Sequence, residues 1–230
     1  MPRPFRLLGI TALWLLALVV AVFSARYFLD PPPLLVPPVG ALLPGPGTDT
    51  VTGVAPYLYS HHRLVFLLHI ASGITALTVG LFQFVGSLRD ARPALHRALG
   101  RVYLGAALVG GATGLPLSFL LLGAIPVSMR PQFYPIVASF VSLSLLWPLF
   151  TLLALSRARW RRFAEHRAWM IRSYSLTFAA VSVRLVGLPL ILLTGDLIVG
   201  TNAAFLSWPL NLVVAEFLIR RAPGRAAAPA

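Results

Sequence analysis

Long apolar stretches, broken by short polar or Pro-rich segments, set the pattern of this chain. Six of them, residues 7–28, 64–86, 102–125, 132–155, 169–193 and 203–219, approach or exceed the length needed to span a membrane. An α-helix crosses the hydrocarbon core of a bilayer with about 20 residues. The pattern therefore predicts an all-α membrane protein with six transmembrane helices. Spans two to five are expected to form a compact bundle, with spans one and six flanking it. Ser72, Ala76 and Gly80 make a stripe of small residues at four-residue spacing in the second span, and Ala106, Gly110 and Gly114 do the same in the third. Such stripes let helix backbones approach closely, and packing is what drives helices together in lipid.

The domain plan follows from the same pattern. Residues 1–29 form an N-terminal membrane anchor, 30–63 a link rich in Pro and Gly, 64–220 the helical membrane domain and 221–230 a tail. The link contains Pro31, Pro32, Pro33, Pro37, Pro38, Pro44 and Pro46, which predicts an extended segment with little regular structure. The first span could instead be a signal peptide. Its apolar run is longer than that reading favours, and Phe23 interrupts the small-residue cleavage pattern near Ala25, so a retained anchor is expected.

Composition supports lipid as the solvent. Apolar residues make up 58% of the chain, charged residues 11%, and the mean hydropathy is +0.83. A soluble domain carries about 25% charged residues. The net charge of +13 might suggest nucleic acid, but every basic residue is Arg, and the Arg residues cluster in short links beside apolar runs. One set of links carries Arg3 and Arg6; Arg89, Arg92, Arg97 and Arg101; Arg157, Arg159, Arg161, Arg162 and Arg167; and Arg220, Arg221 and Arg225. The opposite side has only Arg26, Arg63 and Arg130. The positive-inside rule then places both termini and the Arg-rich links in the cytoplasm. The expected partners are the bilayer and anionic lipids at the cytoplasmic face, with no nucleic acid; a redox or subunit partner is not specified. Tyr27, Tyr57, Tyr59, Trp160 and Trp169 fall where aromatic residues anchor spans at the interfaces.

Cysteine is absent, which excludes disulfides, thiolate metal ligands and a Cys nucleophile. No nucleotide-binding loop, Ser-His-Asp order or zinc-protease helix is present. His61, His62 and His69 are spaced by seven and eight residues, too far along one helix for a shared metal.

The two largest Arg-rich links echo each other. The first ends in His96-Arg97-Ala98-Leu99-Gly100-Arg101-Val102-Tyr103, and the second in His166-Arg167-Ala168-Trp169-Met170-Ile171-Arg172-Ser173-Tyr174. Each gives His-Arg-Ala, then an Arg, then a Tyr two residues later, with a one-residue slip between them. Repeats of this kind place equivalent residues around a pseudo-twofold axis along the membrane normal. Together with His69-Ile70-Ala71-Ser72-Gly73 and Gln83-Phe84, these motifs resemble an uncharacterised family of bacterial multi-pass membrane proteins, known only as a domain of unknown function. The resemblance covers residues 69–184 and implies a bacterial inner-membrane protein without an established activity. A looser similarity, in helix count and His placement, is to the b-type transmembrane cytochromes. This chain departs from their ligand pattern because its fourth span contains no His.

Two constellations carry candidate chemistry. At the Arg-rich end, His96 and His166 stand at equivalent starts of spans three and five and could supply two axial nitrogens to haem b. Arg97, Arg101, Arg167 and Arg172 could meet its propionates, Tyr103 and Tyr174 could line the cavity, and Gln83 and Glu165 are candidate partners for the imidazoles. The plainer alternative is that each His hydrogen-bonds backbone or lipid phosphate in a basic link. Toward the other end, His69 and Arg184 fall at about 8 Å and 13 Å inside the boundary and could form a ligand pocket. An ionisable group there needs a partner or a cavity; Asp196 is the nearest acid in sequence, and snorkelling to headgroups is the alternative. Glu216 is the one acid within a span and is matched in depth by Arg172, which predicts an ion pair. Three functions stay open: a b-type haem electron-transfer protein, a small-solute or lipid-binding transporter, and a structural or accessory subunit.

The orientation is directly testable. Reporter fusions after Arg92, Arg162 and Arg225 are expected to report the cytoplasm, and fusions within 37–52 and near Asp196 the opposite side. A fusion at Arg162 that reports the outside removes the six-span arrangement.

Overall fold

A computed structural model of the chain describes residues 3–29, 54–202 and 204–221, and every regular element in these segments is helical. Helix α1 runs Arg3–Ala25 and ends in a 3₁₀ turn, Arg26–Phe28. Then come α2 (Val54–His61), α3 (Arg63–Phe82), α4 (Gly86–Ala91) and α5 (Pro93–Leu120). Two 3₁₀ turns, Leu121–Ala124 and Val127–Phe133, lead into α6 (Tyr134–Arg159). The chain finishes with α7 (Phe163–Thr177), α8 (Ala179–Thr194), α9 (Leu197–Asn202) and α10 (Ala204–Arg221).

Among the described residues, five helical stretches are long and apolar enough to cross a membrane, and α7 with α8 makes a sixth if the bent pair is one span. That pair is where the structure departs from the expected straight fifth span. The two helices meet at Phe178 with a bend of 43°. Both Val181 and Ser182 donate their backbone N–H to the Phe178 carbonyl, so the ladder tightens locally and no Pro is needed to bend it. The expected 30–63 link also differs. Its residues 30–53 lie outside the described residues, as does the tail beyond 221, but 54–61 is the helix α2 rather than extended chain. The third span begins earlier than expected, because Pro93 suits the first turn of a helix and α5 takes in the whole His96–Arg101 motif.

Local breaks are built from the residues that favour them. Gly195 ends α8 with φ +67°, a left-handed cap that glycine adopts without cost. Arg161 takes φ 56° in the short turn between α6 and α7, where the chain must reverse within a few residues.

Helices α3, α5, α6 and α7 pack in sequence, and α3 also touches α7, so the four close into a bundle. Helix α1 lies against α3 and α8, and α10 lies against α6, α7 and α8. The core between them gathers Ala76, Tyr103, Ala106, Ala107, Trp147 and Leu176. Many large apolar side chains point outward instead, among them Leu145, Leu149 and Leu152 on α6 and Val213, Val214 and Phe217 on α10. In water that exposure would be an aggregation hazard; in lipid it is the solvated face.

The small-residue stripes sit where the helices come closest. A Cβ added at Gly110 would run into the Trp147 ring and lie 2.9 Å from Ser72 Oγ. One added at Gly80 would stand 2.6 Å from the Tyr174 ring and 2.9 Å from the Tyr103 ring. Gly73 and Gly105 have nothing within 4 Å of that position. Overpacking of this kind costs about 1–3 kcal/mol. Gly80→Ala and Gly110→Ala are therefore expected to lower the melting temperature in detergent, while Gly73→Ala and Gly105→Ala leave it unchanged or raise it.

Candidate functional site

The first turns of α5 and α7 carry the equivalent imidazoles. His166 is half-buried, and its Nδ1 lies 2.8 Å from the Ala154 carbonyl of α6. A carbonyl only accepts, so Nδ1 donates, and no hydrogen bond is made to Nε2 among the described residues. His96 is also half-buried, and its Nδ1 is buried without a partner. The two rings lie within electrostatic range of each other, as do His96, Arg89 and Arg97. Both imidazoles stand at the Arg-rich end, in the first turns of α5 and α7.

Neither partner proposed for these rings is bonded to them. Glu165 pairs with Arg157 at 3.2 Å and Arg162 at 3.6 Å, while a backbone carbonyl holds His166. Gln83 caps α3, and its Oε1 lies 3.3 Å from where a Gly100 Cβ would be, one turn inward of His96 on α5. Its Nε2 is buried with no partner. Unpaired buried donors are few in folded proteins and ask for an explanation.

The tyrosines do something other than line a cavity. Tyr103 is fully buried, and its hydroxyl sits 2.8 Å from both Ser173 Oγ and Thr177 Oγ1. The Trp147 indole N–H donates to the same oxygen at 3.4 Å, and Thr151 Oγ1 joins Ser173 Oγ at 2.7 Å. Tyr174 donates to the Leu77 carbonyl at 2.9 Å. The two phenol rings, 6.4 Å apart, both press on the space that Gly80 leaves open. Both rings thus meet α3. The network's other members, Ser173, Thr177, Thr151 and Trp147, escaped the sequence reading; only the Ser173-Thr177 spacing on one helix face hinted at them.

The arginines divide. Arg97, Arg101 and Arg167 are exposed around the pair. Arg172 is committed elsewhere: its guanidinium grips Glu216 of α10 at 2.5 Å and 3.0 Å and lies over the Trp169 ring at 4.7 Å. The expected ion pair is present, and it removes Arg172 from the set that could meet a propionate.

His69 and Arg184 take different partners. His69 Nδ1 lies 3.1 Å from the Gly110 carbonyl and 3.3 Å from Thr113 Oγ1, and the ring lies against Gly114. It bridges α3 to α5. Arg184 is exposed on α8 and bonds the Ala180 carbonyl of its own helix. No hydrogen bond or ion pair joins the two among the described residues. Asp196, the acid expected nearest to Arg184, accepts from the Ile198 and Val199 backbone and so begins α9. His61 stacks on Tyr57 with centroids 4.4 Å apart. Among the described residues no group of three or more His, Asp or Glu is placed to hold a metal ion.

A family model, described as Predicted membrane protein (DUF2306), matches residues 66–219. The chain belongs to this family. The match runs from the first turn of α3 to the last turn of α10 and takes in every residue of the candidate site. Neither the curated proteins nor the solved structures give a match. This member of DUF2306 is thus a multi-pass integral membrane protein, and its site must be argued from its own side chains.

Within this member, Tyr103 is the side chain on which α5, α6 and α7 converge. Tyr103→Phe deprives the Trp147 indole of its acceptor while Ser173 and Thr177 keep other bonds. An orphaned buried donor costs about 1–3 kcal/mol. A lower melting temperature is expected for Tyr103→Phe than for Tyr174→Phe, since the Leu77 carbonyl freed by the latter is already inside a helix.

Proposed function

We propose that this protein is an electron-transfer component that binds haem b between His96 and His166 at the Arg-rich end of its bundle. The reading includes a bacterial inner membrane, with that end in the cytoplasm, on the strength of the Arg distribution. The observation that carries it is the Nδ1 bond of His166 to the Ala154 carbonyl. Axial histidines are held in this way: the far nitrogen is tied to a carbonyl or carboxylate, which fixes the tautomer and turns Nε2 outward. His96 comes from a different helix, within electrostatic reach, and its buried Nδ1 has no competing partner.

The donor set fits the group in part. Two imidazoles on separate helices suit a six-coordinate iron, and exposed Arg97 and Arg101 remain to meet propionates. Tyr103 and Tyr174 belong to the packed core instead, so the group would sit at the end of the bundle and not between the phenol rings. When bound, haem supplies one-electron redox chemistry. The chain's own residues hold the His166 ring by its Nδ1 bond, offer His96 from a separate helix, leave Arg97 and Arg101 exposed beside it, and close the core with Tyr103.

A reduced-minus-oxidised spectrum of protein purified from cells supplied with a haem precursor is the test. A sharp α-band that disappears in both His96→Ala and His166→Ala is expected. Haem-free wild-type protein would end this reading and leave the pair as interfacial residues.

A further inference from the structure

A groove of about 440 Å³ runs along the last turns of α6, lined by Leu152, Leu155, Ser156, Arg159 and Trp160. These positions follow the three- and four-residue steps that put side chains on one helix face. It is the outer face: Ala154, whose carbonyl holds His166, is fully buried on the inner side of the same turns. The polar groups of the groove are uncommitted. Arg159 is exposed and forms no ion pair among the described residues, whereas Arg157 and Arg162 share Glu165. Ser142 and Thr151 of the same helix turn their hydroxyls back to the carbonyl one turn before, each at 2.8 Å. Ser156 makes no such bond among the described residues, which leaves its hydroxyl to the groove it lines. Trp160 caps α6 and is 75% exposed. Leu152, Leu149 and Leu145 continue the face as an exposed apolar strip toward the middle of the span.

We propose that this groove seats an anionic phospholipid, with its phosphate on Arg159 and the Ser156 hydroxyl and an acyl chain along Leu152, Leu149 and Leu145. A guanidinium fork donates two parallel bonds to phosphate, and the serine hydroxyl adds another. The dimensions match. From Ser156 to Leu145 the helix rises about 16 Å, at ~1.5 Å per residue; one leaflet's share of the hydrocarbon core is about 15 Å. Tryptophan settles at headgroup level, so Trp160 keeps Arg159 at the depth of the phosphates. A free anion would make no use of the apolar strip. The C-terminal end of a helix carries about half a negative charge, which opposes an anion. Residues 157–167 outweigh it, since Arg157, Arg159, Arg161, Arg162 and Arg167 stand against the single acid Glu165. A zwitterionic headgroup brings its own ammonium into that cluster and is the weaker ligand. This site lies on the opposite face of α6 from His166 and does not rest on the haem reading.

The test places the full chain in phosphatidylcholine nanodiscs that contain a minor fraction of lipid brominated on its upper acyl carbons, either phosphatidylglycerol or phosphatidylcholine. Bromine quenches an indole that it touches, so tryptophan fluorescence reports the neighbouring lipid. Brominated phosphatidylglycerol is expected to quench wild type more than brominated phosphatidylcholine, and Trp160→Phe to remove the excess. Arg159→Gln, which deletes the charge-assisted bonds, should weaken the preference about tenfold, and Ser156→Ala should weaken it less. Arg92→Gln, in another Arg-rich link, should keep it. If Arg159→Gln does not fold, Ser156→Ala and Trp160→Phe decide. Equal quenching of wild type by the two lipids overturns the site and leaves ordinary annular lipid. So does an excess that survives Trp160→Phe, which would put the lipid elsewhere. A loss in Arg92→Gln as large as that in Arg159→Gln reduces the effect to diffuse surface charge. Displacement of the brominated lipid by inorganic phosphate overturns the lipid assignment.

Discussion

The close approach of α3 and α5 is the constraint on which the rest of the molecule depends. In lipid, burying apolar surface gains little, because hydrocarbon tails are as apolar as Leu. What remains is van der Waals contact and internal hydrogen bonding, and both fall off within a fraction of an ångström. Gly80, Gly110 and Gly114 remove the side chains that would hold these helices off. Into the space they leave go the Tyr103, Tyr174 and Trp147 rings and the His69 imidazole. The largest and most polar side chains of the core are thus placed by the smallest ones.

That arrangement also explains why the polar groups within the bundle are silent. Tyr103, Ser173, Thr177, Thr151 and Trp147 satisfy one another across three helices, and His69 is tied to the Gly110 backbone. A saturated network of this kind fixes helix rotation and register and offers nothing to a ligand. The unsaturated groups lie at the two ends. Gln83 Nε2 and His96 Nδ1 are open at the Arg-rich end, and the Tyr59 hydroxyl is open at the other.

The two span arginines on the bent pair show how context divides identical side chains. Arg172 has Glu216 on the neighbouring helix and Trp169 beneath it, so its charge is neutralised within the protein. Among the described residues Arg184 has no carboxylate in an ion pair, and it bonds the carbonyl one turn before it. The bend at Phe178 separates the two fates, since it turns α8 toward α1 while α7 stays in the bundle.

The sequence by itself determined the solvent, the number of apolar stretches, the closely packing stripes and the family. Each of these is written in local composition or in fixed spacing, and lipid reads both without long-range information. It also matched Arg172 with Glu216, because depth along a span can be counted from its ends. Rotation about each helix axis cannot be counted in that way. Whether Arg184 faced His69 or lipid, whether Tyr103 lined a cavity or filled a core, and whether His166 met Glu165 or the Ala154 carbonyl all turned on that rotation. So did the bend at Phe178, which no Pro announces. Helix rotation is set by many small contacts made at once between α3, α5, α6 and α7, and only the tertiary structure contains them.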